Sequence, residues 1–253
     1  MTAPRALPRT ISLTRVAAIA RVRIIRVIRS RLAIVALLIV LPPWMLVDGG
    51  TLLARMSALA EFSVAGLTVV AAGALADDLD NGEYAIAVTH ATGPVELLAG
   101  YAAASFLLVA ALVALQLPIA LAGPGWTQVG PALLCIAWLA ALLAGWLGLM
   151  LLLATWLEGK ANALAMAALF VIVPVALTSG FLDRLPAAPA AIVRSALQLA
   201  PQLNHVNAIF RALLYRSSPP ALAPVIVLVS PIVYFAFALL RLYRIEPAGR
   251  LTQ

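Results

Sequence analysis

Four carboxylates, Asp77, Asp78, Asp80 and Glu83, fall within seven residues and are the densest chemistry in the chain. They belong to a sequence that is 64% hydrophobic and 11% charged, with a mean hydropathy of +1.06. A carboxylate at mid-bilayer costs roughly 3 kcal/mol or more, so this segment must face water. Apolar runs lie on both sides of it, from Met56 to Ala76 and from Val95 onward. A folded, water-facing connector between two membrane spans is a surface on which a partner protein can push.

The remaining polar residues offer no catalytic set. A phosphate loop is absent, because Gly159-Lys160 is followed by Ala161 and emerges from an apolar run. His90 lies in the connector and His205 in a later polar segment on the opposite side of the membrane, so the two cannot share a metal. Neither His-Glu-x-x-His nor Gly-x-Ser-x-Gly occurs, and no pair of transmembrane aspartates stands at the spacing of an intramembrane protease. Cys135 is the single cysteine and offers neither a disulfide nor a metal framework. Glu61 lies about one turn inside the second apolar run. Such a residue is a functional candidate by default, against the plainer reading, favoured here, of a carboxylate at the outer interface facing Arg55 or water.

Hydropathy makes residues 1–253 one all-α integral membrane domain with six transmembrane helices, expected at 32–47, 56–76, 95–122, 131–157, 163–180 and 221–240. The first is short for a span, and Pro42-Pro43 break its far end. Within the connector, 77–94, a short helix is expected from Glu83 to Thr92, entered at Gly82 and closed by Thr92-Gly93-Pro94. Segment 181–220 interrupts the pattern with charges, prolines and two amphipathic pieces, roughly 190–199 and 203–215. These read as short outer helices that dip into or lie on the membrane before the sixth span. In the fourth span, Ala141/Gly145 and Ala144/Gly148 stand at the small-xxx-small spacing that lets a neighbouring helix approach.

Residues 1–31 hold eight arginines and no acid. On a helical wheel Leu13, Ala17, Ala20, Ile24, Val27 and Ile28 share one stripe, while Arg15, Arg23, Arg26 and Arg29 gather roughly opposite. The pattern predicts an interfacial helix over 11–31 whose guanidiniums reach anionic headgroups. It names membrane lipid as a partner and not nucleic acid, although the net charge of +7 would suggest the latter in a soluble protein. A mitochondrial targeting peptide is also Arg-rich and acid-poor, but this helix runs straight into a span with no recognisable cleavage context. An even number of spans places both termini together, with twelve basic residues on that side against five on the other. The positive-inside rule makes the first side cytoplasmic, with the connector on it.

In its connector and flanking plan the chain resembles the membrane subunit of type-2 ABC transporters, the permease class of bacterial ABC exporters. That family carries an acidic stretch ending in Glu-x-Gly-Thr, an amphipathic helix, a Pro some way after the Gly, then an acid and a Gly-Lys opening the third span. Gly82 matches the first Gly, Glu96 the later acid and Gly100 the second Gly. Ala91 stands where the Pro is usual and Tyr101 where the Lys is usual. In the outer segment, Pro201 and Arg211 match a family spacing just before the last span. The order and placement of these motifs extend the resemblance over nearly the whole chain.

The resemblance implies a cytoplasmic coupling helix between spans two and three, with Asp80, Gly82, Glu83, Tyr84, Ala91, Glu96 and Gly100 serving the contact with an ABC ATPase. It further implies two copies of that ATPase, a second permease copy or homologue, and ATP and Mg used in the partner chain, with no cofactor bound by this one. The implied location is a bacterial cytoplasmic (inner) membrane. A path lined by the first, second and fifth spans would be largely apolar, with Thr68, Thr178 and Ser179 among its few polar residues, which points to an apolar, lipid-like or drug-like cargo. Two plainer readings stand beside this one. The connector could be a solvated loop with Asp77, Asp78 and Asp80 as a solubilising cap. The whole chain could be an ion-coupled carrier or a non-transporting scaffold subunit; a carrier calls for several acids or broken polar helices at mid-membrane.

Overall fold

The structure, a computed structural model, describes residues 11–41, 50–72, 74–83, 93–122, 128–178, 186–191 and 203–244, and among them it is helical with no strand. Helix α1 (Leu13–Arg29) begins at Ser12, whose hydroxyl accepts the Arg15 N–H at 3.5 Å. It ends at Ser30, whose hydroxyl donates to the Val27 carbonyl at 2.8 Å. After Arg31 the chain sets off again as α2 (Leu32–Val40). Thr51 caps α3 (Leu52–Ala71) by accepting the Ala54 N–H at 3.3 Å, and α4 (Ala74–Asp80) follows. Pro94 opens α5 (Pro94–Leu121), and Glu96 turns back to accept the Gly93 N–H at 3.1 Å. The remaining long helices are α6 (Val129–Ala154), α7 (Gly159–Thr178), α8 (Leu203–Tyr215) and α9 (Leu222–Arg244), and residues 187–191 form a short helical piece between α7 and α8.

Among the described residues four runs are long and apolar enough to cross a membrane: Leu52–Asp80, which contains α3 and α4, Pro94–Leu121, Val129–Ala154 and Leu222–Arg244. Even the shortest, at 23 residues and about 1.5 Å per residue, exceeds the roughly 30 Å of hydrocarbon. They fall on the expected spans 56–76, 95–122, 131–157 and 221–240. The expected span 163–180 falls on α7, which starts earlier, at Gly159. Of the expected span 32–47, residues 42–47 lie outside the described residues. The amphipathic piece expected at 203–215 has the bounds of α8, while residues 192–199 of the other piece lie outside the described residues.

The core is organised around α3. It buries Met56, Leu59, Ala60, Ser63, Val64 and Leu67, an i, i+3, i+4 stripe, and packs against α2, α5, α6 and α8. Helix α9 lies along α6, and Gly148 sets how near they come, because a Cβ there would stand 3.0 Å from the Tyr234 Cβ. Gly145 is buried on the same helix, with Ala141 and Ala144 half-buried. The outward side of α9 keeps Leu222, Ile232 and Phe237 exposed, the surface that a helix offers to hydrocarbon. Close packing, more than apolar burial, holds such helices together in lipid.

Candidate functional site

Helix α4 is only seven residues long, too short to be stable alone, and it is held by other elements on two sides. On one side Asp78 meets α1 and α5. The Arg23 guanidinium is ion-paired with the Asp78 carboxylate, and the Tyr101 hydroxyl donates to the same Oδ2. Arg23 also donates to the Tyr101 oxygen and lies 4.3 Å from the centre of the Tyr101 ring. Arg26 continues the network outward, with Nη1 3.3 Å from Asp78 Oδ1 and Nη2 2.7 Å from Glu83 Oε2. Side-chain exposure grades from 11% and 13% at Arg23 and Asp78 to 48% and 41% at Arg26 and Glu83. Burial, followed by the like charge of Arg26, draws the Arg23 guanidinium down to about 10, so it is still charged at neutral pH.

A second contact fixes α1 along α5. Glu96 Oε1 accepts the Ser12 N–H at 2.7 Å and lies 3.1 Å from Arg15 Nε. Further along, Gly100 admits α1 at close range, since a Cβ there would stand 2.6 Å from the Cβ and Cγ2 of Ile19. The two helices therefore meet through a glycine, with the Arg15–Glu96 ion pair toward one end of the contact and the Arg23–Tyr101 hydrogen bond toward the other.

The other side of α4 faces the start of α7. Asp80 Oδ2 accepts the Gly159 N–H at 3.3 Å, and the Asp77 carboxylate fills the space that a side chain on Gly159 would need. Two carboxylates thus lie at the first turn of α7, where unpaired N–H groups and the helix dipole favour negative charge. One turn on, the fully buried Asn162 donates to the Met150 carbonyl at 3.1 Å and to the Ala72 carbonyl at the end of α3. That single amide ties α3, α6 and α7 together beside α4.

Several expected site residues therefore converge. Asp80, Glu83, Glu96 and Gly100 all lie at this junction, and Gly82, with φ of 73°, turns the chain out of α4 in a conformation glycine adopts readily. Tyr84 and Ala91 lie outside the described residues, as do His90 and Pro201. Arg211 is exposed on α8, and Glu61 is exposed on α3. Three of the four α1 arginines expected to reach headgroups have carboxylates of this chain beside them. Arg15, Arg23 and Arg26 are engaged by Glu96, Asp78 and Glu83, and of the four only Arg29 is exposed without an ion pair among the described residues. The buried side of α1 is Ala20 and Val27, while Leu13 and Ile28 of the apolar stripe point outward. A helical wheel separates charged from apolar faces but does not tell an anionic lipid from a carboxylate of the same chain.

Two residues central to the junction carried little or no site signal in the sequence. Tyr101 stood out only as the departure from a family lysine, and Asn162 did not stand out at all. Two clefts flank the junction. One of about 250 Å³ lies between α1 and α5, against Ile19, Val22, Leu97 and Tyr101. The other, of about 290 Å³, lies against Val27, Leu32, Val70 and Asn81, with Arg26 and Glu83 bordering both. Chemically the arrangement is a joint: its charges bind one helix to another and would carry a displacement of α4 to α1 and α7. Comparison of the chain with family models, characterised proteins and solved structures returns no match.

Proposed function

We propose that this chain is the membrane-spanning permease subunit of an ATP-driven exporter of the type-2 ABC class, energised by a separate ATPase that docks on the segment following Gly82. The observation that supports it most is the position of α4, fastened to α1 through Asp78 and to α7 through Asp80. In this reading six spans and cytoplasmic termini frame the subunit in a bacterial inner membrane, and two such subunits, or this one with a homologue, pair around a central path. ATP binding closes two ATPases and draws the coupling segments together. Each segment pulls on its α4, which passes the displacement to α1 and α7 at once and switches access to the path. Tyr101 and Arg23 together supply what the family's usual lysine would bring, a donor and a positive charge beside Asp78. The apolar lining favours an apolar or lipid-like cargo.

The test is purification of the full chain from its native membrane, with mass spectrometry of what accompanies it. An ATPase bearing a phosphate loop and a Leu-Ser-Gly-Gly-Gln-like signature is expected, and Tyr84→Ala is expected to reduce its recovery and its reconstituted hydrolysis together. Isolation of an active chain with no nucleotide-hydrolysing companion, or unchanged recovery and hydrolysis with Tyr84→Ala, would overturn the reading.

A further inference from the structure

The outward half of α1 is apolar and cationic at once. Leu13, Val22, Ile25 and Ile28 are 81%, 51%, 38% and 61% exposed. Arg21 and Arg29 lie among them, and Arg31 follows at the bend into α2; all three are exposed, and none enters an ion pair among the described residues. The bend itself is fixed. Ser30 Oγ donates to the Val27 carbonyl at 2.8 Å and accepts the Leu32 N–H at 3.3 Å. Beyond it α2 exposes Leu32, Ile34, Val35 and Leu38.

An apolar surface this continuous is unfavourable in water, and three guanidiniums are unfavourable in hydrocarbon. The medium that satisfies both is the boundary of a leaflet, where long cationic side chains reach the headgroups while the apolar residues enter the acyl region. No acid lies on α1 or α2 to neutralise these cations, whereas the inward arginines already have carboxylate partners. We infer that the outer face of the α1–α2 bend is a binding surface for anionic phospholipid, with Arg21, Arg29 and Arg31 contacting phosphate. The leaflet thus holds α1 from outside while Arg23 and Arg26 hold α4 from inside, so the charge of the lipid is felt at the joint. This holds independently of any transport role.

The experiment places the full chain in nanodiscs of phosphatidylcholine alone and of phosphatidylcholine mixed with phosphatidylglycerol. It measures retained phosphatidylglycerol by native mass spectrometry and hydrogen exchange over residues 13–31. Phosphatidylglycerol is expected to be retained and to slow exchange. The triple variant R21Q/R29Q/R31Q is expected to weaken its retention about 100-fold, from about fivefold per guanidinium, and R21K/R29K/R31K to restore most of it. R15Q, whose side chain faces Glu96, is expected to leave retention within about twofold of wild type. Retention unchanged in the glutamine triple, or lost equally in R15Q, overturns the inference. Equal slowing in phosphatidylcholine alone would make the surface merely apolar, and slowing only on addition of a partner protein would make it a protein-docking face; either result also overturns it.

Discussion

Arg23 of α1 and Asp78 of α4 form an ion pair that is largely withdrawn from solvent, with side chains 11% and 13% exposed. Neither residue's helix is a complete span of its own: α1 is the charged N-terminal helix and α4 a seven-residue tail of the second apolar run. The pair therefore joins two elements that the membrane by itself would leave free to move relative to each other.

Removing one partner of a buried pair costs up to about 3–5 kcal/mol, less here because Arg26 remains 3.3 Å from Asp78, whereas a half-exposed pair contributes about 1 kcal/mol or less. Arg23→Gln is therefore expected to lower the thermal stability of the detergent-solubilised chain well beyond Arg26→Gln. Added salt should shrink the effect of Arg26→Gln and leave that of Arg23→Gln. Equal losses for the two variants would show that the inner pair is not the stronger one.

Tyr101→Phe keeps the ring beneath Arg23 and removes the hydroxyl that donates to Asp78. Its expected cost is about 1–3 kcal/mol, that of a buried acceptor losing a partner. Tyr101→Lys sets an ammonium beside the Arg23 guanidinium. It should destabilise the wild type and destabilise Arg23→Gln much less, a coupling that a double-mutant cycle of thermal unfolding would read. Additive effects would argue against a shared partner.

Three glycines should rank by the room around them. Gly100→Ala places a Cβ 2.6 Å from Ile19 and should cost about 1–3 kcal/mol as α1 is forced off α5. Gly148→Ala meets the Tyr234 Cβ at 3.0 Å and should cost less, because α9 has to yield only slightly. Gly93→Ala meets nothing within 4 Å and should be close to neutral. Adding Ile19→Ala to Gly100→Ala removes one of the two clashing atoms and should rescue only in part; full rescue, or a different ranking in melting temperature, would contradict the α1–α5 contact.

Asn162→Ala leaves the Ala72 and Met150 carbonyls without that donor, a loss of about 1–3 kcal/mol. Asn162→Asp should be at least as damaging, since a carboxylate would face two carbonyls. Hydrogen exchange at the first turn of α7 should rise in both. If Asn162→Asp is the milder variant, the amide is not acting as the donor that joins these helices.

The long apolar runs, the amphipathic helix at 203–215 and the helical character of the arginine-rich segment were legible without coordinates, because each depends on hydropathy and periodicity within a stretch of about 10–30 residues. The acid-rich segment was legible too, since carboxylates have few places in a chain this apolar. What the acids touch was not. Asp78 finds Arg23 across the α1–α4 contact, and Asp80 finds the start of α7; both partners lie far along the chain.

The amino-acid order by itself determined where the long helices run, which of them are greasy enough to enter a membrane, and that the acids gather between two apolar runs; that Asp78 would be buried against Arg23 instead of facing water it did not show. The tertiary structure alone decided which arginines are spent on carboxylates and which remain for the surroundings. It also decided that Gly100 and Gly148 are points of close approach and that Asn162 is a three-helix tie. The physical reason is range. Hydrophobicity and helical period act between neighbours in sequence, whereas an ion pair, a buried amide or a missing Cβ acquires meaning only from what another helix brings against it.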